Sequence, residues 1–142
     1  MKDGTLDLLG SLFGEFPILV SGPAPAQELL RIEEYAGFDL PADYRIFVER
    51  YGGAIVGPYS IYGFGASHAM GNDESSVITT TEHFRSQKWP GTEGGLVISM
   101  DHAGNPITLD MNGCVWLHDH DFGSTEKLAD SFEDYLMRNL GK

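Results

Sequence analysis

Between residues 95 and 121, three short apolar runs are separated by turn-forming residues, and this stretch constrains the fold more than any other part of the chain. Leu96, Ile98 and Met100 alternate along the first run, Ile107 and Leu109 along the second, and Val115 and Leu117 along the third. A period of two is the pattern of a strand with one covered face. The connectors Asp101-His102-Ala103-Gly104-Asn105 and Asp110-Met111-Asn112-Gly113 are short enough for hairpins, so the stretch predicts an antiparallel meander.

Helical patterns flank the meander. Residues 5–13 place Leu6, Leu9 and Phe13 on one side of a short helix, and residues 17–25, rich in proline, predict an extended connection. Leu29, Ile32 and Ala36 follow at helical spacing over residues 25–36, with Gly37 where a helix commonly ends. In the next helix Pro41 suits the first turn and Asp43 complements the positive end, while Tyr44, Phe47, Val48 and Tyr51 share a face that stops at Gly52-Gly53. Residues 55–64, broken by Gly57-Pro58 and Gly63, predict short strands or a bent edge segment. Residues 75–87 fit either state: Val77-Ile78-Thr79-Thr80-Thr81 favours a strand, yet Ser76 suits an N-cap and Val77, Thr81 and Phe84 share a helical face. From residue 131 to 140, Ser131 and Asp134 make a capping-box-like pair, and Phe132, Leu136 and Leu140 line one face.

Each element has one apolar side for another layer to cover, which predicts an α+β fold: an antiparallel β-sheet meander with helices packed on one face. The opposite face is left to solvent, a loop or a partner. A chain of 142 residues fits one domain, with residues 1–25 as an N-terminal extension. The lone Cys114 cannot form an internal disulfide, nothing at the N-terminus resembles a secretory signal, and no run nears the roughly 20 apolar residues of a membrane span. The expectation is a soluble, cytoplasmic protein.

Charge narrows the function. With 21 acidic and 9 basic residues the formal net charge is −12, which disfavours nucleic acid, whose phosphates require cations. Between residues 51 and 126 the only Lys or Arg residues are Arg85 and Lys88, against nine Asp or Glu. Such a surface either keeps the protein soluble or steers a cationic partner toward it.

The run Arg31-Ile32-Glu33-Glu34-Tyr35-Ala36-Gly37-Phe38-Asp39-Leu40-Pro41-Ala42-Asp43-Tyr44-Arg45-Ile46-Phe47, followed by Tyr51-Gly52-Gly53, resembles the signature of the SMI1/KNR4 (SUKH) superfamily. Ile61-Tyr62-Gly63-Phe64, residues 96–101, residues 105–110 and the final Ser131-Phe132-Glu133-Asp134-Tyr135-Leu136 resemble its later motifs in order, so the resemblance spans about residues 26–140. It implies a non-catalytic binding domain, with bacterial members acting as immunity proteins against polymorphic toxins and eukaryotic relatives in regulation and scaffolding. It also implies that residues 75–87 are helical.

The expected partner is therefore a basic, nuclease-type toxin domain, met by Asp101, Asp110, Asp119 and Asp121, with Trp89, Tyr59 and Tyr62 as aromatic contacts. A regulatory or scaffolding module with another protein partner is the alternative. No cofactor is expected. The cluster His118-Asp119-His120-Asp121 offers a competing metal-dependent enzyme, because His118 and His120 would project from one face of a strand, with His102 as a third ligand if the neighbouring hairpin folds toward them. A polar strand end entering the turn at Gly123 accounts for the same residues without metal. Cys114 beside Trp116 is expected to be structural, and the glycines of residues 63–66 and 91–95 lack the Lys and Ser or Thr of a phosphate loop.

Overall fold

A computed structural model describes residues 1–65, 76–119 and 123–141. Three helices come first: α1 (Asp3–Glu15), α2 (Ala26–Ala36) and α3 (Ala42–Tyr51), with a short 3-10 turn at Pro17–Leu19. A small hairpin of β1 (Ala54–Val56) and β2 (Tyr59–Ile61) precedes α4 (Val77–Ser86). The meander β3 (Gly95–Met100), β4 (Pro106–Asp110), β5 (Val115–Asp119) and β6 (Ser124–Ala129) leads into α5 (Phe132–Leu140). The fold is α+β, with a two-stranded and a four-stranded antiparallel sheet, the larger in the order β3-β4-β5-β6.

Local chemistry explains the helix ends. The Ser76 hydroxyl accepts from the Thr79 backbone N–H while the Thr79 hydroxyl accepts from the Ser76 N–H, a reciprocal capping box that starts a helix at Val77 despite the β-branched run. Ser131 caps α5 by accepting from Asp134 N–H at 3.1 Å. Asp43 does more than complement its own helix: one carboxylate oxygen accepts from Tyr44 N–H, and the other reaches across to Glu133 N–H at the start of α5. Glu33 links α2 to the next segment by accepting from Leu40 N–H at 2.9 Å and from Arg45 at 2.8 Å, and these donors, the backbone one foremost, hold its carboxyl below the usual range.

The core lies between the helices and one face of the large sheet. Leu96, Ile107, Leu109 and Val115 from the sheet join Tyr44, Phe47, Phe132 and Leu136 from α3 and α5 in one apolar cluster. The Phe132 ring meets Tyr44 and Phe47 edge-on, with centroids 5.1 and 5.3 Å apart, and the Tyr44 hydroxyl donates to Tyr62 C=O. From α1, Leu9 and Phe13 are buried in the same cluster.

The two edges of the large sheet differ. Beside β3, Tyr62 N–H donates to Ile98 C=O, Ser99 donates to Ser60 C=O, and the Thr81 hydroxyl on α4 accepts from Val97 N–H. A bulge between Val97 and Ser99 accompanies these contacts, and residues 95–99 are buried on both faces. At the opposite edge β6 is exposed over residues 124–127. β6 is the strand that sequence patterning does not reveal, because Ser-Thr-Glu-Lys-Leu-Ala has no apolar alternation; pairing with β5, with a second bulge opposite Val115 and Trp116, makes it a strand.

Candidate functional site

Cross-strand register sorts the meander into two faces. Thr108, Trp116 and Lys127 lie opposite one another, as do His118 and Thr125, so these side chains share the face turned away from the core. Thr108, Trp116, His118 and Thr125, together with the loop glycines Gly91 and Gly94, line an open groove that includes Asp110. Most of its polar atoms are spoken for. His118, only 6 % exposed, places Nε2 2.9 Å from the Thr108 hydroxyl and Nδ1 3.3 Å from the Thr125 hydroxyl, so a neutral ring is satisfied at both nitrogens. Burial pulls its pKa down, favouring that neutral form. Gly91, with φ of +81°, packs so tightly on this ring that a β-carbon there would lie 2.2 Å from Cε1.

The metal expectation meets this geometry. His118 is committed to two threonine hydroxyls, His102 lies against the Tyr59 ring at 4.9 Å with Nε2 3.3 Å from Pro58 C=O, and His120 is outside the described residues. Among the described residues no three His, Cys, Asp or Glu side chains gather as metal ligands would.

The proposed acidic contacts divide between the two ends of the sheet. Asp101 organises the β3–β4 turn, one oxygen accepting from Ala103 and Asn105 N–H and the other from the Asn105 side chain. Asp110 does the same for the β4–β5 turn, accepting from Asn112 and Cys114 N–H and, at 2.9 Å, from the Trp116 indole. Asp119, half-buried at the end of β5, lies at the same end as Asp101, since Ile107 pairs with Leu117. Asp121 is outside the described residues. Of the aromatic candidates, Tyr59 and Trp89 are half-buried, Trp89 edge-on to Phe84 at 5.3 Å. Tyr62 is only 6 % exposed and sits in the core, which removes it as a surface contact.

Two arrangements were not visible in the sequence. Arg85 is drawn inward: Nε donates to Thr92 C=O at 2.9 Å, its other nitrogens reach Glu93 C=O, Gly95 C=O and the Tyr35 hydroxyl, and its guanidinium stacks over the Tyr35 ring at 5.1 Å. Tyr35 also donates to Glu82, and burial followed by that bond pushes its phenol up to about 12. The second arrangement is a cleft between α5 and the core side of β4 and β5, which includes Tyr59 and Asp101.

Residues 23–138 match the SMI1 / KNR4 family (SUKH-1). The chain belongs to this family. No curated protein matches it. The SUKH-1 match takes in α2 through most of α5, whereas α1 precedes it and still supplies Leu9 and Phe13 to the core. No helix among the described residues is long and apolar enough to cross a membrane.

Proposed function

We propose that this SUKH-1 domain is an immunity protein that binds a cationic, nuclease-type toxin domain and blocks it without catalysis. The observation that carries the proposal is the scarcity of cations between residues 51 and 126: the segment has only Arg85 and Lys88, and Arg85 is turned inward onto carbonyls and Tyr35. The nine acids of that segment therefore meet little neutralisation from within it, Lys127 near Asp110 and Arg138 near Asp101 and Glu126 being cations that approach from outside. Asp101 and Asp110 are held by backbone donors, so their charges are fixed in place before a partner arrives, and Asp119 adds to the first of them. A basic groove shaped to hold phosphate is complementary to such a surface, and steering raises the association rate most at low salt.

The test is a pull-down from the native host with the full chain as bait, at low and high salt, followed by association kinetics with the recovered protein. Recovery of a basic toxin domain whose on-rate falls at least about tenfold as salt rises supports the proposal. Recovery of only non-toxin proteins points instead to a regulatory or scaffolding module. A toxin that associates at a salt-independent rate removes the electrostatic mechanism.

A further inference from the structure

The cleft beneath α5 holds the two buried side-chain nitrogen or oxygen atoms among the described residues that have no hydrogen-bond partner. Tyr135 and Asn139, one turn apart on α5, are 2 % and 1 % exposed, and the Tyr135 hydroxyl and the Asn139 amide nitrogen are both unpartnered. Asn139 and Ser99 lie near enough to oppose the upward push that burial gives the Tyr135 phenol, but neither meets the hydroxyl in bonding geometry. An unpaired buried polar group destabilises a fold relative to an apolar one, so two side by side in a cleft are a signature of a ligand. Gly57, at the β1–β2 turn, fixes this end of α5: its φ is +62° and a β-carbon would lie 2.2 Å from Asn139 C=O.

The lining selects the ligand. Ile107 and Leu117 supply an apolar wall, while Glu126 and Arg138, both exposed, border the cleft at its mouth, Arg138 donating to Leu128 C=O at 2.9 Å. The free volume of about 180 Å³ suits one side chain and is below the roughly 300 Å³ at which small-molecule pockets begin. Asn139 offers N–H and Tyr135 offers O–H, so the ligand must bring an acceptor oxygen. A carboxylate would meet Asp101 and Glu126 as well as Arg138, and an ammonium or guanidinium, though it can donate to the Tyr135 oxygen, leaves the Asn139 N–H without an acceptor. A neutral carboxamide meets both demands: its oxygen accepts from Asn139 and Tyr135, and its N–H groups donate toward Glu126.

We infer that this cleft receives the carboxamide of a glutamine or asparagine side chain from a partner protein. The inference rests on the domain being a protein-binding module and is independent of whether the partner is a toxin. It is tested by titrating the isotope-labelled full chain with N-acetylglutamine methylamide and with the matching glutamate and lysine derivatives, following the Asn139 side-chain amide by NMR. The glutamine derivative should shift that signal saturably, with affinity at least about fivefold above the other two. Tyr135→Phe should weaken binding by about fivefold or more without lowering the thermal midpoint, and Asn139→Leu should abolish binding as judged from the Tyr135 ring signals. An unmoved Asn139 signal, equal binding of glutamate or lysine, or unchanged binding in both variants would overturn the inference. These outcomes leave the pull-down result untouched, so the two proposals fail separately.

Discussion

The outer face of the meander and the cleft on its core side both bury polar side chains, yet they treat them in opposite ways. On the outer face, His118 has a hydroxyl at each ring nitrogen, and Asp110 gathers two backbone N–H groups and the Trp116 indole. In the cleft, Tyr135 and Asn139 are more deeply buried, and the Tyr135 hydroxyl and the Asn139 amide nitrogen lack partners. A satisfied polar cluster rigidifies the structure around it, whereas an unsatisfied one weakens the fold and waits for something else to complete it. Conspicuous polar residues on the outer face thus hold one another in place, whereas two inconspicuous ones in the cleft are left with unmet hydrogen-bonding atoms.

Mutations sharpen this contrast. Asp110→Ala should have the largest effect, lowering stability by about 2–4 kcal/mol, because three donors lose a charged acceptor at once. Chemical denaturation with an unchanged m-value would establish it; a loss under 1 kcal/mol would mean that water replaces the carboxylate. Thr108→Val should cost about 1–2 kcal/mol by leaving His118 Nε2 without its hydroxyl. His118 should also leave a pH signature. Its folded pKa is depressed below 6.5, so the unfolded chain takes up the proton first, and the His118 contribution to stability is complete above about pH 6.5 and lost as pH falls toward the folded pKa. Denaturant midpoints measured downward from pH 7 should fall less steeply in His118→Gln than in the wild type. The smallest effect belongs to the cleft: Tyr135→Phe should change stability by less than about 0.5 kcal/mol or raise it, since no hydrogen bond is lost. If Tyr135→Phe proves as damaging as Thr108→Val, the contrast between the two regions collapses.

Elements governed by neighbours in sequence were legible. Ser76 and Ser131 announced two helix starts, Gly37 and Gly52 two helix ends, and the alternation from Leu96 to Leu117 three strands. What escaped depends on partners distant along the chain. Ser124–Ala129 carries no strand pattern of its own and is ordered by the edge that β5 offers. His118 and His120 suggested a ligand pair because spacing says which residues share a face; it does not say that Thr108 and Thr125 fill that face. Tyr135 and Asn139 were not singled out in the sequence at all, because the unpartnered state of their polar atoms depends on Ile107, Leu117 and the rest of the facing wall.

The unequal edges of the large sheet set a limit on how copies of this domain can add to one another. With β3 shielded by Tyr62, Ser60 and Thr81, strand-on-strand growth has only the β6 side available. Two copies joined through β6 would make an eight-stranded sheet with a sealed strand at each end, and a third copy would find nothing to extend. Association by this route terminates at a pair, so this sheet carries its own stop against open-ended strand-on-strand growth.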